Sequence, residues 1–261
     1  MPSADGGAGF SQSLERGLAV LSSFSPERPE LGISELARML ALTRSTTHRY
    51  VATLAALGYL HQDDATRKYR LGPRVLDLGF AVLGSLELRE IAAPHLRRLA
   101  ETTGHTANLA VLDDVDAILI DRVRGRPCRY HHFEYSLHIG SRLPLYCSAT
   151  GKTLLAFLPR PELDRLLDRI DLTQRGPRTL TDRSALIAEL AQVRRSGIAV
   201  NDEELDRALR SIAAPVRSRT GEVVAAINLA IPWSPVPICD LVTQLGGTIQ
   251  ATARQIAARV V

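Results

Sequence analysis

Apolar residues in the first third of the chain recur at helical spacing, in blocks separated by polar or proline-bearing breaks. Between Ser11 and Phe24, Leu14, Leu18, Ala19 and Leu21 share one helical stripe. The two prolines of SPERPEL end that pattern. In ISELARMLA, Ile33, Leu36, Ala37, Leu40 and Ala41 stand at i, i+3, i+4, i+7 and i+8, the period of an amphipathic helix. A third helix starts almost at once. Thr43 suits its N-cap, Thr47, Tyr50, Val51, Leu54 and Leu57 form its apolar stripe, and Gly58 is placed to close it. Two β-prone pieces, around Tyr59–His61 and Lys68–Leu71, flank the polar turn Asp63–Thr66 and predict a hairpin. Pro73 then opens a further helical run, RVLDLGFAVL, as far as Gly84.

From Leu88 the pattern mixes helix with strand. Leu88, Ile91, Leu96 and Leu99 predict a helix ending at Gly104. TANLAVLD and AILIDRV bracket Asp113–Asp116 as a hairpin, and a third strand is expected near Cys128–Tyr135. CSATGKTLLAFL has the pattern of a loop entering a helix; short helices follow Pro161 and span Asp182 to Ser196. SIAAPVRSRTGEVVAAINLAIP predicts two strands around Thr220-Gly221, and a last helix runs from Ile238 to Val260. The fold class is α+β. The divisions are a small helical unit with its hairpin at 11–72, a linking helix at 73–87 and a larger domain at 88–261.

Composition narrows the function. No apolar run approaches the ~18–20 residues of a membrane span, and MPSADGGAGF lacks a basic stretch followed by an apolar one. The three cysteines, Cys128, Cys147 and Cys239, are odd in number and far apart, as in a reduced compartment. A cytoplasmic protein with no membrane partner is expected. Net charge is only +4, but its distribution is uneven. Between Ile33 and Gly72, six basic residues (Arg38, Arg44, Arg49, Arg67, Lys68, Arg70) face three acidic ones (Glu35, Asp63, Asp64). That balance suits a phosphate-facing module.

The block Arg44-Ser45-Thr46-Thr47-His48-Arg49 heads the third helix. Two helices joined by a tight turn, the second polar at its start, form the helix-turn-helix pattern. Arg44, Ser45, Thr46, His48, Arg49 and Ala52 fall off the apolar stripe. Short hydroxyls and N–H groups at a helix start suit phosphates, and arginines suit guanine edges. TRKYR, with Arg67 and Lys68, would be a basic wing. The plainer reading is a small helical subdomain with a solvated basic face, His48 at the surface and Tyr50 in the core.

Catalytic and metal readings fare worse. Gly151-Lys152-Thr153 suggests a phosphate loop, but that motif needs glycine five positions earlier, where Tyr146 stands. No G-x-S-x-G elbow is present, and Cys147 lacks an activating pattern. No cofactor motif is found. His131, His132 and His138 lie near Cys128 and Cys147, but their spacing matches no zinc module. Surface histidines are the better reading, and a metal-responsive protein is the alternative.

ISELARMLALTRSTTHRYVATLAALGYL and its wing resemble the IclR family of bacterial transcriptional regulators. LPLYCSATGKTLLAFL, GIAVNDEELDRALRSIAAPV and GEVVAAINLAIP agree, so the likeness runs from about Gln12 to the end of the chain. The resemblance implies a winged helix-turn-helix, a linking helix and a GAF-like effector-binding domain with an antiparallel sheet. It implies a ligand-responsive regulator and not an enzyme, with double-stranded operator DNA as one partner and a small organic acid as the other. It further implies homodimers, often paired into tetramers, with Leu14, Leu18 and Leu21 at an interface; filling of the monomer core is the alternative for those leucines. The family's effector pocket maps onto Ser148, Ala149, Thr150, Gly151, Asn201, Ser211, Asn228 and Ala230. The chain departs from the commoner pattern, which has Asp at Asn201, Cys at Ser211, and Ser at Asn228 and Ala230. Loss of an acidic group at Asn201 favours an anionic ligand. SRLPLYCSATGK, VNDEELDRALRSIAAPV and AAINLA are closest to the branch controlling protocatechuate, 4-hydroxybenzoate and β-ketoadipate catabolism. Arg142 offers a counter-charge, or is a surface residue.

Overall fold

Proline breaks, threonine and serine caps and left-handed glycines divide the chain into short elements. The computed structural model describes residues 10–85, 87–126, 137–207, 209–232 and 236–260. They divide into two compact units, Met1–Ser85 and Leu86–Val261.

The first unit holds α1 (Gln12–Leu21), α2 (Ile33–Met39), α3 (Arg44–Ala56), the strands β1 (Leu60–Gln62) and β2 (Tyr69–Leu71), and α4 (Arg74–Ser85). Glu35 accepts from the Gly32 N–H at 2.7 Å and so caps α2. Gly58, at φ +78°, follows α3 as the glycine spacing predicts. β1 and β2 are antiparallel, with Leu60 opposite Leu71 and Gln62 opposite Tyr69. Their turn is organised by Asp63, whose Oδ1 accepts from the N–H groups of Ala65 and Thr66 at 3.1 and 2.7 Å.

Val20, Leu31, Leu36, Val51, Leu60 and Tyr69 form this unit's core. The core takes the Val20 side of α1, and Leu21 is only partly buried against it. Leu14 and Leu18 are 64% and 54% exposed, which overturns the monomer-core alternative for those two. The linking helix α4 falls within the first unit, so the division lies just after Ser85.

Among the described residues, the second unit is a six-stranded antiparallel sheet between helices. It comprises α5 (Glu87–Thr103), β3 (Thr106–Asp113), β4 (Asp116–Val123), β5 (Arg142–Pro144), α6 (Ala149–Ala156), α7 (Arg160–Leu167), α8 (Arg183–Ser196), β6 (Ala199–Asp202), β7 (Leu209–Arg217), β8 (Val223–Pro232) and α9 (Ile238–Ala257). The strand order is β5-β4-β3-β8-β7-β6. Alternation along β8 sorts the two faces. Ile227, Leu229 and Ile231 join Leu96 and Leu99 of α5 and Ile249, Ala253 and Ile256 of α9 in one core. Ala226 faces the other way, with Ala110, Ala199 and Ala213, into a core shared with Leu154, Leu155, Leu186, Leu190 and Val193 of α6 and α8. Alanines on this face admit α6 at close range. A Cβ on Gly151 would lie 2.4 Å from the Leu145 backbone.

The hairpins at Asp113–Asp116 and Thr220-Gly221 form where the sequence pattern puts them. β5 and β6 were not legible in the sequence, because three and four residues are too few to show alternation. The strand expected near Cys128–Tyr135 falls largely on residues 127–136, outside the described residues.

Candidate functional site

The first candidate surface is the head of α3. Thr43 Oγ1 accepts from the Thr46 N–H at 3.2 Å and donates to Thr46 Oγ1 at 2.9 Å, so the helix start is capped from within. Arg44, Ser45, His48, Arg49 and Ala52 are exposed, and Thr46 is half-buried. Thr47 departs from the expected contact set. It is fully buried, with its hydroxyl donating to the Thr43 carbonyl at 3.0 Å. Four residues past the cap, its side chain points inward beside Val51, so it builds the helix and does not present to a ligand. Arg67 and Lys68 are exposed on the hairpin. Lys68 lies 3.9 Å from Glu35, an exposed pair held weakly enough to exchange for a phosphate.

The second candidate is a pocket in the sheet unit. Its lining includes Ser148, Ala149 and Thr150 from the start of α6, Asn201 of β6, Ser211 of β7, and Asn228 and Ala230 of β8. Seven of the eight expected effector residues therefore converge on one space, although they span eighty-three positions of sequence. Register explains it: Asn201 pairs with Ser211, Ser211 with Ala230, and Asn108 with Asn228. Gly151 is absent from the lining. It sits one step further into α6, where its missing side chain lets the helix meet Leu145.

Sequence reasoning missed Asn108, which lines the pocket from β3, and the leucines Leu137, Leu143, Leu205 and Leu209 that wall it. An asparagine at an inward position of the apolar strand TANLAVLD is a signal that could have been followed.

The polar groups are unevenly paired. Ser148 is fully used: its Oγ donates to the Pro144 carbonyl at 2.7 Å and accepts from the Gly151 N–H at 3.0 Å. The N–H groups of Ala149 and Thr150, in the first turn of α6, have no intrahelical acceptor. Thr150 Oγ1 and Asn201 Nδ2 are buried without a hydrogen-bond partner. Both residues are about 1% exposed. Asn201 Oδ1 accepts from the N–H groups of Glu204 and Leu205 at 2.8 and 3.4 Å. The cavity, by the space open to the centre of a water-sized sphere, is about 20 Å³, room for roughly one water. A larger ligand has to displace the leucine wall.

Charge stands behind the pocket. Buried Lys152 donates to Glu204 at 2.6 Å and Glu189 at 3.3 Å. Burial pushes the Glu204 carboxyl up, against the downward pull of Lys152. Arg142 is exposed and paired with Asp113 and Asp116 at the β3–β4 turn, outside the pocket. Cys147 is no nucleophile: burial pushes its thiol up to about 12, despite the opposing pull of Arg175. Among the described residues no three His, Cys, Asp or Glu side chains group as a metal site. Cys128, His131 and His132 lie outside those residues. No helix among them is long and apolar enough to cross a membrane.

Two family models match the chain. One, described as the IclR helix-turn-helix domain, covers residues 13–64. The other, bacterial transcriptional regulator IclR C-terminal, covers residues 80–258. The Pca regulon regulatory protein of Pseudomonas putida is 38% identical, across 95% of this chain and 83% of its own. The HTH-type transcriptional regulator XynR of Escherichia coli is 36% identical, across 88% of this chain and 90% of its own. Among solved structures, an IclR homologue from Microbacterium hydrocarbonoxydans complexed with 4-hydroxybenzoate superposes at a TM-score of 0.78, with 28% identity, covering 95% of this chain and 98% of its own.

Proposed function

The chain belongs to the IclR family of bacterial transcriptional regulators, and on that premise we propose that this ligand-responsive DNA-binding protein answers to an aromatic acid or an acid of the β-ketoadipate route. One observation carries the reading. Thr150 Oγ1 and Asn201 Nδ2 are buried donors without partners, and their residues line a leucine-walled cavity. Unpaired buried donors are costly, and a carboxylate satisfies them. The leucines suit an apolar body attached to that carboxylate. The 4-hydroxybenzoate bound by the Microbacterium relative and the Pca regulon controlled by the Pseudomonas relative are consistent with it.

The DNA-facing set is Arg44, Ser45, Thr46, His48 and Arg49 on α3 with Arg67 and Lys68 on the wing. The exposure of all but the half-buried Thr46 supports it, and so does the N–H-rich start of α3. The apolar strip Phe10, Leu14 and Leu18 supports a homodimer, the unit that reads two half-sites. Effector and operator binding are then two linked equilibria. The acid shifts operator affinity only through its unequal affinity for two arrangements of the protein.

A second reading, a smaller organic acid, is favoured by the cavity of about 20 Å³. One experiment separates the two. Fluorescence anisotropy of DNA from upstream of the gene is titrated with protein at fixed salt, then with protocatechuate, 4-hydroxybenzoate, β-ketoadipate and glyoxylate. A shift by one of the first three supports the proposal, and a shift by glyoxylate alone supports the second reading. In the same assay Arg49→Ala is expected to weaken operator binding about 10-fold. Equal affinity of variant and wild type would remove Arg49 from the contacts.

A further inference from the structure

Three polar residues stand in register across adjacent strands: Arg122 of β4 opposite Asn108 of β3, and Asn108 opposite Asn228 of β8. Arg122 Nη1 lies 2.8 Å from Asn108 Oδ1, and Asn108 Nδ2 lies 2.9 Å from Asn228 Oδ1. Arg122 is not part of the pocket lining, whereas both asparagines are. An amide can turn either end toward a neighbour, so its orientation needs an anchor. Guanidinium supplies one, because it donates and never accepts. The Asn108 atom facing Arg122 must be oxygen, so Asn108 turns its NH₂ to Asn228. Asn228 must in turn meet it with oxygen, and its own NH₂ is left for the cavity.

Asn201 is oriented by the same logic from the other side. Its oxygen is taken by the backbone N–H groups of Glu204 and Leu205, which can only donate, so its NH₂ faces inward. Thr150 adds an unpartnered buried hydroxyl. We propose that Arg122 is a positioning residue that turns a second amide NH₂, that of Asn228, toward the cavity alongside that of Asn201, and that the pocket thereby takes carboxylates and rejects the matching primary carboxamides. This rests on the effector-pocket reading above and adds to it the group that fixes the ligand's polarity. A carboxylate offers acceptors only. A carboxamide brings an NH₂ against one of the inward-facing donors, leaving two buried donors opposed.

The test is calorimetric titration of the full-length protein with benzoate, 4-hydroxybenzoate and glyoxylate, each beside its carboxamide. Wild type is expected to bind at least one acid about 10-fold or more tightly than its amide. Arg122→Met, which keeps length but removes every donor, should abolish that preference, and Arg122→Lys, which keeps a donor, should restore it. A merely structural role would weaken acid and amide alike and leave their ratio unchanged. Asn108→Leu provides a second route should Arg122→Met fail to fold by circular dichroism. Leucine keeps a similar volume but breaks the relay without adding charge, so Asn228 turns either end to the cavity, and the acid preference should fall. An unchanged acid preference in Arg122→Met, or in Asn108→Leu if that variant carries the test, overturns the proposal and leaves the pocket reading intact. So does a wild type that binds acid and amide equally. Binding of none of the six compounds by wild type overturns this proposal, and overturns the acid-pocket reading as well if none of the four acids shifts operator affinity in the anisotropy titration.

Discussion

Lys152 is about 1% exposed and pairs in the interior with Glu204 at 2.6 Å and Glu189 at 3.3 Å. Breaking one side of such a pair costs more than removing both, because a lone buried charge remains. Lys152→Met should destabilise the protein by about 3–5 kcal/mol near neutral pH, and Lys152→Met with Glu204→Gln by clearly less. The pH dependence has a definite sign. Burial already holds the Glu204 carboxyl above its ordinary value, and loss of Lys152 removes the pull that opposes this. The folded state then binds a proton that the unfolded chain has released, so stability falls as pH rises from the ordinary carboxyl range through the raised value. Denaturant titrations of Lys152→Met should show a smaller deficit at acid pH than at neutral pH. At the same scale, Cys147 and Cys239 should differ sharply toward iodoacetamide. Cys147 is buried, with its thiol pushed up to about 12, and Cys239 is exposed. Peptide mapping should find native alkylation at Cys239, and at Cys147 only after denaturation. Native labelling of Cys147 would contradict its burial.

Element geometry explains why an eight-residue helix, α6, can serve the pocket. Its N-terminus is brought to the sheet by Gly151, where an added Cβ would meet the Leu145 backbone at 2.4 Å. Gly151→Ala should therefore cost about 1–3 kcal/mol through overpacking and weaken effector binding with it. Gly247, inside α9, has nothing within 4 Å of its would-be Cβ. Gly247→Ala should gain up to ~1 kcal/mol from helix propensity alone. Thermal melts of the two variants should move in opposite directions, and similar shifts would mean that α6 is free to back away from Leu145. The strands work by alternation. On β8 the large residues Ile227, Leu229 and Ile231 join the core beneath α5 and α9, whereas Asn228 and Ala230 face the pocket. One strand thus builds a core and a pocket wall without conflict.

At the scale of the molecule, each unit has its own core, so each can hold its site without borrowing packing from the other. Coupling between operator and effector must then obey reciprocity. If the acid changes operator affinity by some factor, the operator must change acid affinity by the same factor. Anisotropy with and without acid, and calorimetry with and without operator, should return equal factors, and unequal ones would mean that more than two linked equilibria are present. The sequence alone carried a good deal of this organisation. Helical periods, the Thr43 cap, the glycine after α3 and the paired strands around Asp113–Asp116 and Thr220-Gly221 are local properties, set by residues within one or two turns of one another. The pocket-lining residues expected to hold an effector were accessible through motif likeness, and Asn201 stood out by its difference from the usual aspartate. Tertiary structure decided everything that depends on which face turns inward. It chose Val20 over Leu14 and Leu18 on α1, hid Thr47, moved Gly151 from contact to packing, and joined Asn108 to Asn228 across 120 positions with Arg122 behind them. Periodicity shows that a helix or strand has an apolar side. Only the register of distant strands, set by the packing of the whole sheet, determines which polar groups meet and which donors are left over for a ligand.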